Sequence, residues 1–395
     1  LKEKFVEWIW SDEPRANRLT ALYNEQFNSK VPRQFNGEHL VLPGMSQMYT
    51  LRTHQRDAVW RILSSEHNTL LAHAVGAGKT LEMVCAGMEL RRLGMASKVM
   101  YVVPNHMLLQ FSHEFMQAYP NAKILMASKD DLVGDKRREL LSRIATSDWD
   151  AVVVTQATFE RIKMSDDYMK SYIKDEISNI TMAIRQRGNA GRGNAIVKQL
   201  ARAKKAWTTK LDKMKGTAKK DDMLNFEDLG IDWLMVDESH FAKNLWRFSK
   251  MDRIAGLPNT NSERAFDLFV KTRYVRDKRD DRRGTTFASG TPISNTMAEM
   301  WVVMRYLMQD TLEAHMIDNF DSWAANFGES VTALELAPDG NGYRMQARFA
   351  RFVNMPELMG LFRMVADIRT PEMLDLPVPK AHKVTVTTPP SESLK

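Results

Sequence analysis

The segment that most restricts what this chain can fold into is Ala72-His73-Ala74-Val75-Gly76-Ala77-Gly78-Lys79-Thr80, set between an apolar run, Thr69 to Ala72, and a stretch of helical period, Leu81 to Leu93. A glycine-rich turn that closes a strand and opens a helix points backbone N–H groups outward where the peptide dipoles favour an anion. Gly76, Ala77 and Gly78 are expected to cradle phosphate oxygens, Lys79 to reach the terminal phosphates and Thr80 to hold magnesium through its hydroxyl. The strict spacing asks for glycine six residues before the lysine, and His73 stands there instead. Such a turn belongs at the carboxyl edge of a parallel sheet covered by helices. The chain offers that sheet as short apolar runs in order: Thr69 to Ala72, Val99 to Val103, Ile124 to Ala127, Ala151 to Thr155, Leu234 to Val236 and Thr286 to Ser289. Helical segments such as Leu81 to Leu93 and Met107 to Tyr119 lie between them, so the expectation is an α/β fold with a mainly parallel sheet.

A second buried run, Trp233 to Val236, ends in Asp237-Glu238-Ser239-His240. In a phosphate-loop ATPase an aspartate at that place holds the magnesium, usually through water, and the glutamate after it polarises the attacking water. Asp237 and Glu238 are the candidates for these two tasks. His240 has no second His or Cys at ligand spacing, so it is expected to couple to the γ-phosphate rather than to bind zinc.

Composition sets the remaining bounds. With 44% hydrophobic and 27% charged residues the 395-residue chain has the make-up of a folded protein. A formal net charge of +7 permits a polyanionic partner without demanding one. A single cysteine, Cys85, excludes a disulfide framework and a cysteine-rich zinc site. It sits in the helix after the phosphate loop, where a buried, inert thiol is expected. No apolar run is long enough to span a bilayer and no signal-like start is present, so no membrane partner is expected and a reducing, cytoplasmic setting is. The start at Leu1 and the Pro389-Pro390-Ser391 stretch before Lys395 read as those of a piece of a longer chain.

One segment, residues 163–222, breaks the alternation. It lacks a strand signal, and from Lys198 to Lys220 its only acid is Asp212. It is expected to be a basic helical insertion. Lys198, Arg202, Lys204, Lys205, Lys210, Lys213 and Lys215 either track a DNA backbone or form a solvated face, with Trp207 available for packing or base stacking. The run Arg276 to Arg283 alternates in sign and reads as a solvated loop. Residues 1–50 are expected to form a helical and loop extension, and 311–395 a mainly helical extension leading into a linker, with a turn at Pro338 to Gly342 and a helix start at Asn354-Met355-Pro356-Glu357.

These motifs resemble those of superfamily-two helicases of the Swi/Snf-like branch. Leu51-Arg52-Thr53-His54-Gln55 is similar to the family's adenine-reading element, which makes Gln55 the adenine candidate. Val102-Val103-Pro104-Asn105 and Val153-Val154-Thr155-Gln156 resemble two motifs that line the nucleic-acid groove. Ala288-Ser289-Gly290-Thr291-Pro292-Ile293-Ser294-Asn295 is similar to the third motif, which joins the nucleotide site to DNA and to the inter-lobe contacts. The resemblance implies a RecA-like lobe over residues 51–162 and 223–310, the cofactors ATP and Mg2+, and double-stranded DNA as a partner. It also implies a second RecA-like lobe in the parent chain. The family's arginine finger sits on that second lobe; without it hydrolysis is expected to be weak, since such a finger is worth roughly three to five orders of magnitude. Phe5 to Trp10, Tyr23-Asn24, Gly37-Glu38-His39-Leu40 and the lysine-rich insertion further resemble helicase-methyltransferase proteins of phages and plasmids, some tied to antirestriction or defence. An adenine DNA methyltransferase region upstream in the parent is implied, although this chain carries no Asn-Pro-Pro-Tyr motif.

Two other classes compete with the motor lobe: a non-catalytic DNA-binding scaffold with a vestigial nucleotide site, and a phosphate-loop kinase or GTPase. The intact Lys79, Asp237 and Glu238 oppose the first, and the absence of an Asn-Lys-x-Asp guanine-reading motif opposes the second.

Overall fold

The structure is a computed structural model. It describes residues 2–25, 33–188, 201–202, 204–209, 211–212, 224–245, 249, 262–294, 296–336, 343–374 and 384. All six anticipated strands form: β1 (Thr69–His73), β2 (Val99–Val103), β3 (Ile124–Ala127), β4 (Ala151–Thr155), β5 (Trp233–Val236) and β6 (Thr285–Ala288). Their apolar runs are unbroken because helices cover both faces of the sheet. In β4, Val152 and Val154 enter one core while Ala151 and Val153 enter the other. Met100 and Val102 of β2 divide in the same way from Val99, Tyr101 and Val103. The helices Lys79–Arg92 and Leu108–Ala118 lie where the 3.6-residue period placed them.

The C-terminal extension corrects the expectation of a mainly helical segment. It contains the helices Phe320–Phe327 and Met355–Val365, the latter starting at the anticipated point. It also holds an antiparallel pair, β7 (Gly328–Leu336) with β8 (Tyr343–Phe352), and a short strand β9 (Ala366–Arg369). The anticipated turn at Pro338 to Gly342 lies outside the described residues. Strand β9 returns to the main sheet and pairs parallel with β1, giving a seven-stranded order β3-β4-β2-β5-β6-β1-β9. The ladder is parallel throughout. The strand that feeds the phosphate loop is therefore an interior strand, not an edge.

The insertion is helical where described, with the helix Asp166–Gly188 and helical residues at 201–202, 204–209 and 211–212. Trp207 is buried, its ring centroid 5.4 Å from that of Phe266, so this aromatic packs into the core rather than standing ready for a base. Arg202 and Lys205 are exposed; Lys198, Lys210, Lys213 and Lys215 lie outside the described residues. The mixed-charge run is not a free solvated loop. Buried Arg283 donates through Nη1 to Ser65 O at 2.6 Å, closing the end of the helix Thr53–Ser64, and Arg282 pairs with Asp310 at 2.6 Å. Alternating charge reads as solvated because sequence does not reveal carbonyls and carboxylates brought from distant segments. Cys85 is fully buried, and burial pushes its thiol up to about 12.

Candidate nucleotide site

Parallel strands point their carboxyl ends to one edge, and strand order decides which loops meet there. Because β6 lies between β1 and β5, three loops become neighbours: the phosphate loop after β1, the Ser289 to Ser294 loop after β6 and the acid pair after β5. Ser289 N donates to Leu71 O at 3.1 Å, and Asp237 N to Val102 O at 2.9 Å, so both leave the sheet in register with it.

The phosphate loop has a backbone that requires its glycines. Gly76 has φ of +83° and Gly78, which caps the helix Lys79–Arg92, has φ of +90°. L side chains avoid this region, and a Cβ on Gly78 would stand 2.2 Å from Gln55 Nε2. Val75 and Gly76 are exposed while Ala77 is buried as the loop's anchor. Lys79 Nζ donates to the carbonyls of His73 (3.0 Å) and Ala74 (3.2 Å), occupying its ammonium within the loop. Thr80 is half-buried on the first turn of the helix.

Asp237 is buried, and desolvation together with the neighbouring Glu238 charge pushes its carboxyl up to about 6; nearby Lys79 pulls in the other direction. The Lys79 charge acts on the Asp237 carboxyl, and both residues stand at the same edge of the sheet. Glu238 takes the left-handed conformation, φ +48°, unusual for a residue with a Cβ and characteristic of functional sites. Its carboxylate accepts from Glu238's neighbour in the turn, His240, whose Nδ1 lies 3.0 Å from Oε2. Next in the turn, Lys243 reaches the third-motif loop: Nζ donates to Ser294 Oγ at 2.5 Å and lies 3.4 Å from Glu299 Oε1, while Glu299 accepts from Ser294 N at 2.8 Å. Lys243 belongs to no motif legible in the sequence, so its site role emerges only from the fold.

The other sequence candidates divide. Gln55 does lie on the phosphate loop, buried, but its amide is engaged with protein: Oε1 accepts from Arg52 N at 2.9 Å and Nε2 donates to Ala77 O at 3.2 Å. The paired edge expected to face adenine is turned onto the loop. Thr155, one of the groove candidates, keeps its side chain out of solvent. It is buried as the cap of the helix Gln156–Arg161, its Oγ1 accepting from Thr158 N at 3.1 Å. Pro104 is buried and Asn105 exposed, with Asn105 Oδ1 accepting from Ala157 N at 3.2 Å, so the two groove motifs are tied to each other. Ser289 is buried, its hydroxyl accepting from Thr291 N at 3.1 Å, whereas Thr291 is exposed. Gly290 packs on the phosphate loop, where a Cβ would stand 3.1 Å from Val75 Cγ2. Asn295 lies outside the described residues.

This edge is that of a phosphate-loop motor lobe, and the chain belongs to the probable helicase domain family, which matches residues 60–370. A domain family of unknown function matches residues 1–29. Defense against restriction protein B of Escherichia phage P1 is 25% identical over 94% of this chain, which spans 18% of that protein's length. The chromatin-remodeling ATPase INO80 of Candida albicans is 27% identical over 25% of this chain and 6% of its own, and human INO80 is 25% identical over 27% of this chain and 6% of its own. The Sulfolobus solfataricus SWI2/SNF2 ATPase core in complex with dsDNA covers 84% of this chain and 46% of that chain at 14% identity, with a TM-score of 0.43. Membership of a helicase family is what the motifs of the chain implied. No described helix is long and apolar enough to cross a membrane.

Proposed function

We propose that this chain is the ATP-binding lobe of a DNA-dependent ATPase that translocates on duplex DNA, with hydrolysis completed by a second lobe of the parent protein. The observation that carries this reading is the placement of the glycine loop after β1, with Gly76 and Gly78 left-handed, and of the buried Asp237 after β5 at the same edge of the sheet, on either side of β6. The residues fit Mg-ATP: a loop with two left-handed glycines at a helix start, an ammonium held by the His73 and Ala74 carbonyls, and a buried carboxyl whose ionisation a cation would favour.

In this reading Gly76, Ala77 and Gly78 present backbone N–H groups to the phosphates, and Lys79 leaves the His73 and Ala74 carbonyls to bind the terminal ones. Thr80 and Asp237 would hold Mg2+, which when bound would neutralise charge on the phosphate oxygens. Glu238 orients and deprotonates the water, and His240, hydrogen-bonded to it, sets where that carboxylate points. Gln55 braces the loop through Ala77 O and would meet adenine only by releasing Arg52 N. The Lys243–Ser294–Glu299 link carries the state of the acid turn to Ser289, Gly290, Thr291 and Asn295, which relay it to DNA and the second lobe. Asn105 and the chain around Pro104 and Thr155 border the duplex. Antirestriction or defence work, and an upstream methyltransferase, would belong to the parent protein.

Binding of Mg-ATP tests the site itself. The chain should bind it, and Lys79→Ala should abolish that binding without lowering the melting temperature by more than a few degrees; equal binding by both proteins would overturn the reading and favour a scaffold.

A further inference from the structure

The nucleotide site leaves one buried cluster without a task. His73 ends β1 and is fully buried, with each ring nitrogen facing a carboxylate: Nδ1 lies 3.0 Å from Glu82 and Nε2 3.0 Å from Asp367. Glu82 belongs to the helix that follows the phosphate loop, whereas Asp367 lies on β9, 294 positions from His73 in sequence. An imidazole donates from both nitrogens only as the cation. Burial alone would favour the neutral ring, but the bonds to Asp367 and Glu82 outweigh it and raise the pKa to about 9. Asp367 is correspondingly held below the usual carboxylate range: burial opposes this, and the His73 bond prevails.

Other charged groups close the cluster on every side. From the helix Thr53–Ser64, His54 Nε2 stands 3.8 Å from Glu82 and Asp57 stands 3.6 Å from Arg369. Arg61 of that helix donates to the carbonyls of Arg363 and Met364 just before β9, and its charge acts on Asp367. On β9 itself Arg369 Nε is 3.4 Å from Asp367, and from the loop Lys79 bonds the His73 carbonyl. The backbone adds a second tie, Ala74 N donating to Arg369 O at 2.9 Å. Strand β9 therefore grips the phosphate loop twice: by side chain at its last strand residue and by backbone at its first loop residue. A strand whose only task was to extend the sheet would need the ladder and apolar contacts alone, and buried charge is a costly substitute for them.

We propose that His73 is a positioning residue: bridged to Glu82 and Asp367, it lets β9 fix the carbonyls that hold Lys79, so the lobe's nucleotide affinity depends on the C-terminal extension. This rests on the reading that the loop binds Mg-ATP. It assigns a purpose to the histidine that displaces the usual glycine.

The test compares Mg-ATP dissociation constants, measured with a fluorescent ATP analogue, for the full chain and for Lys79→Ala, His73→Gln, Asp367→Asn, Asp367→Glu and the His73→Gln/Asp367→Asn pair, each checked for a cooperative melt. His73→Gln and Asp367→Asn should each weaken binding roughly tenfold, the pair should be no weaker than the worse single variant, and Asp367→Glu should recover part of the loss. Wild-type affinity in both folded single variants would overturn the proposal while leaving the nucleotide site standing. An unaltered chain that fails to bind, or binding indifferent to Lys79→Ala, would overturn both. A measurement without substitution guards against unfolded variants: by reciprocity, Mg-ATP should slow hydrogen exchange at residues 366–369, and unchanged exchange there in a chain that binds would also overturn it.

Discussion

The two sides of the sheet are built on different physics. Strands β3, β4, β2 and β5 carry almost nothing but aliphatic and aromatic residues, and every residue of β2, β4 and β5 is buried. On the other side β1 ends in a histidine that meets Asp367 of β9, and Arg369 of β9 reaches Asp57. Apolar packing is non-directional and tolerates exchange among residues of similar volume. A buried charge cluster does not, because removing one member leaves the others desolvated and unpaired. The first side accordingly builds a platform. The second, as proposed above, sets the geometry of a loop, and the candidate site lies where the two meet.

The largest effect expected concerns the chemistry at that junction. In a two-lobed version of the parent, Glu238→Gln should keep Mg-ATP binding and lower steady-state turnover by roughly two to four orders of magnitude. Unchanged turnover would remove Glu238 from the role of base. On the platform side Phe115→Ala, which empties a fully buried ring site, should cost about 3–5 kcal/mol in denaturant unfolding and leave the nucleotide affinity of the folded fraction unchanged. A large change in affinity there would blur the contrast between the two sides.

The charged side should instead show itself through pH. The His73 pKa is raised from 6.5 to about 9, so its contribution is fully present below about pH 6.5 and is lost as pH rises through about 9. Denaturant titrations across that window should lose about 2–3 kcal/mol in the unaltered chain, and this alkaline slope should be absent in His73→Gln. Equal slopes would mean that the imidazole is not charged in the fold. The smallest effect, about 1–3 kcal/mol, is expected for Gly78→Ala, which forces a side chain into a left-handed position and against Gln55. Thermal melts would measure it, and a neutral result would contradict the loop geometry.

The same division explains what the sequence disclosed. The six strands and the helices after β1 and β2 were legible because their signals are local: apolar runs, helical period and turn residues all fall within a few positions. The phosphate loop and the acid pair were legible for the same reason. Strand β9 was not, since Ala366 to Arg369 holds two charged residues in four and becomes a strand only by pairing with β1. His73 stood out as a departure from the glycine spacing, yet its partners could not be found, as nothing near Asp367 announces a site. Thr155 was noticed as part of a motif, and only the structure reveals that its hydroxyl caps a helix. Gln55 was singled out as the residue to read adenine, but which way its buried amide turns depends on the carbonyl of Ala77, a backbone atom that side-chain patterns do not predict.

Steady-state Mg-ATP hydrolysis, measured with and without duplex DNA for this chain and for a version extended through the second lobe, tests the central claim most directly. The present chain is expected to bind ATP with little turnover, and the extended one to show DNA-stimulated hydrolysis that is lost with Lys79→Ala. An extended protein that binds no ATP, or hydrolyses it at the same rate whether or not DNA is present, would contradict that claim.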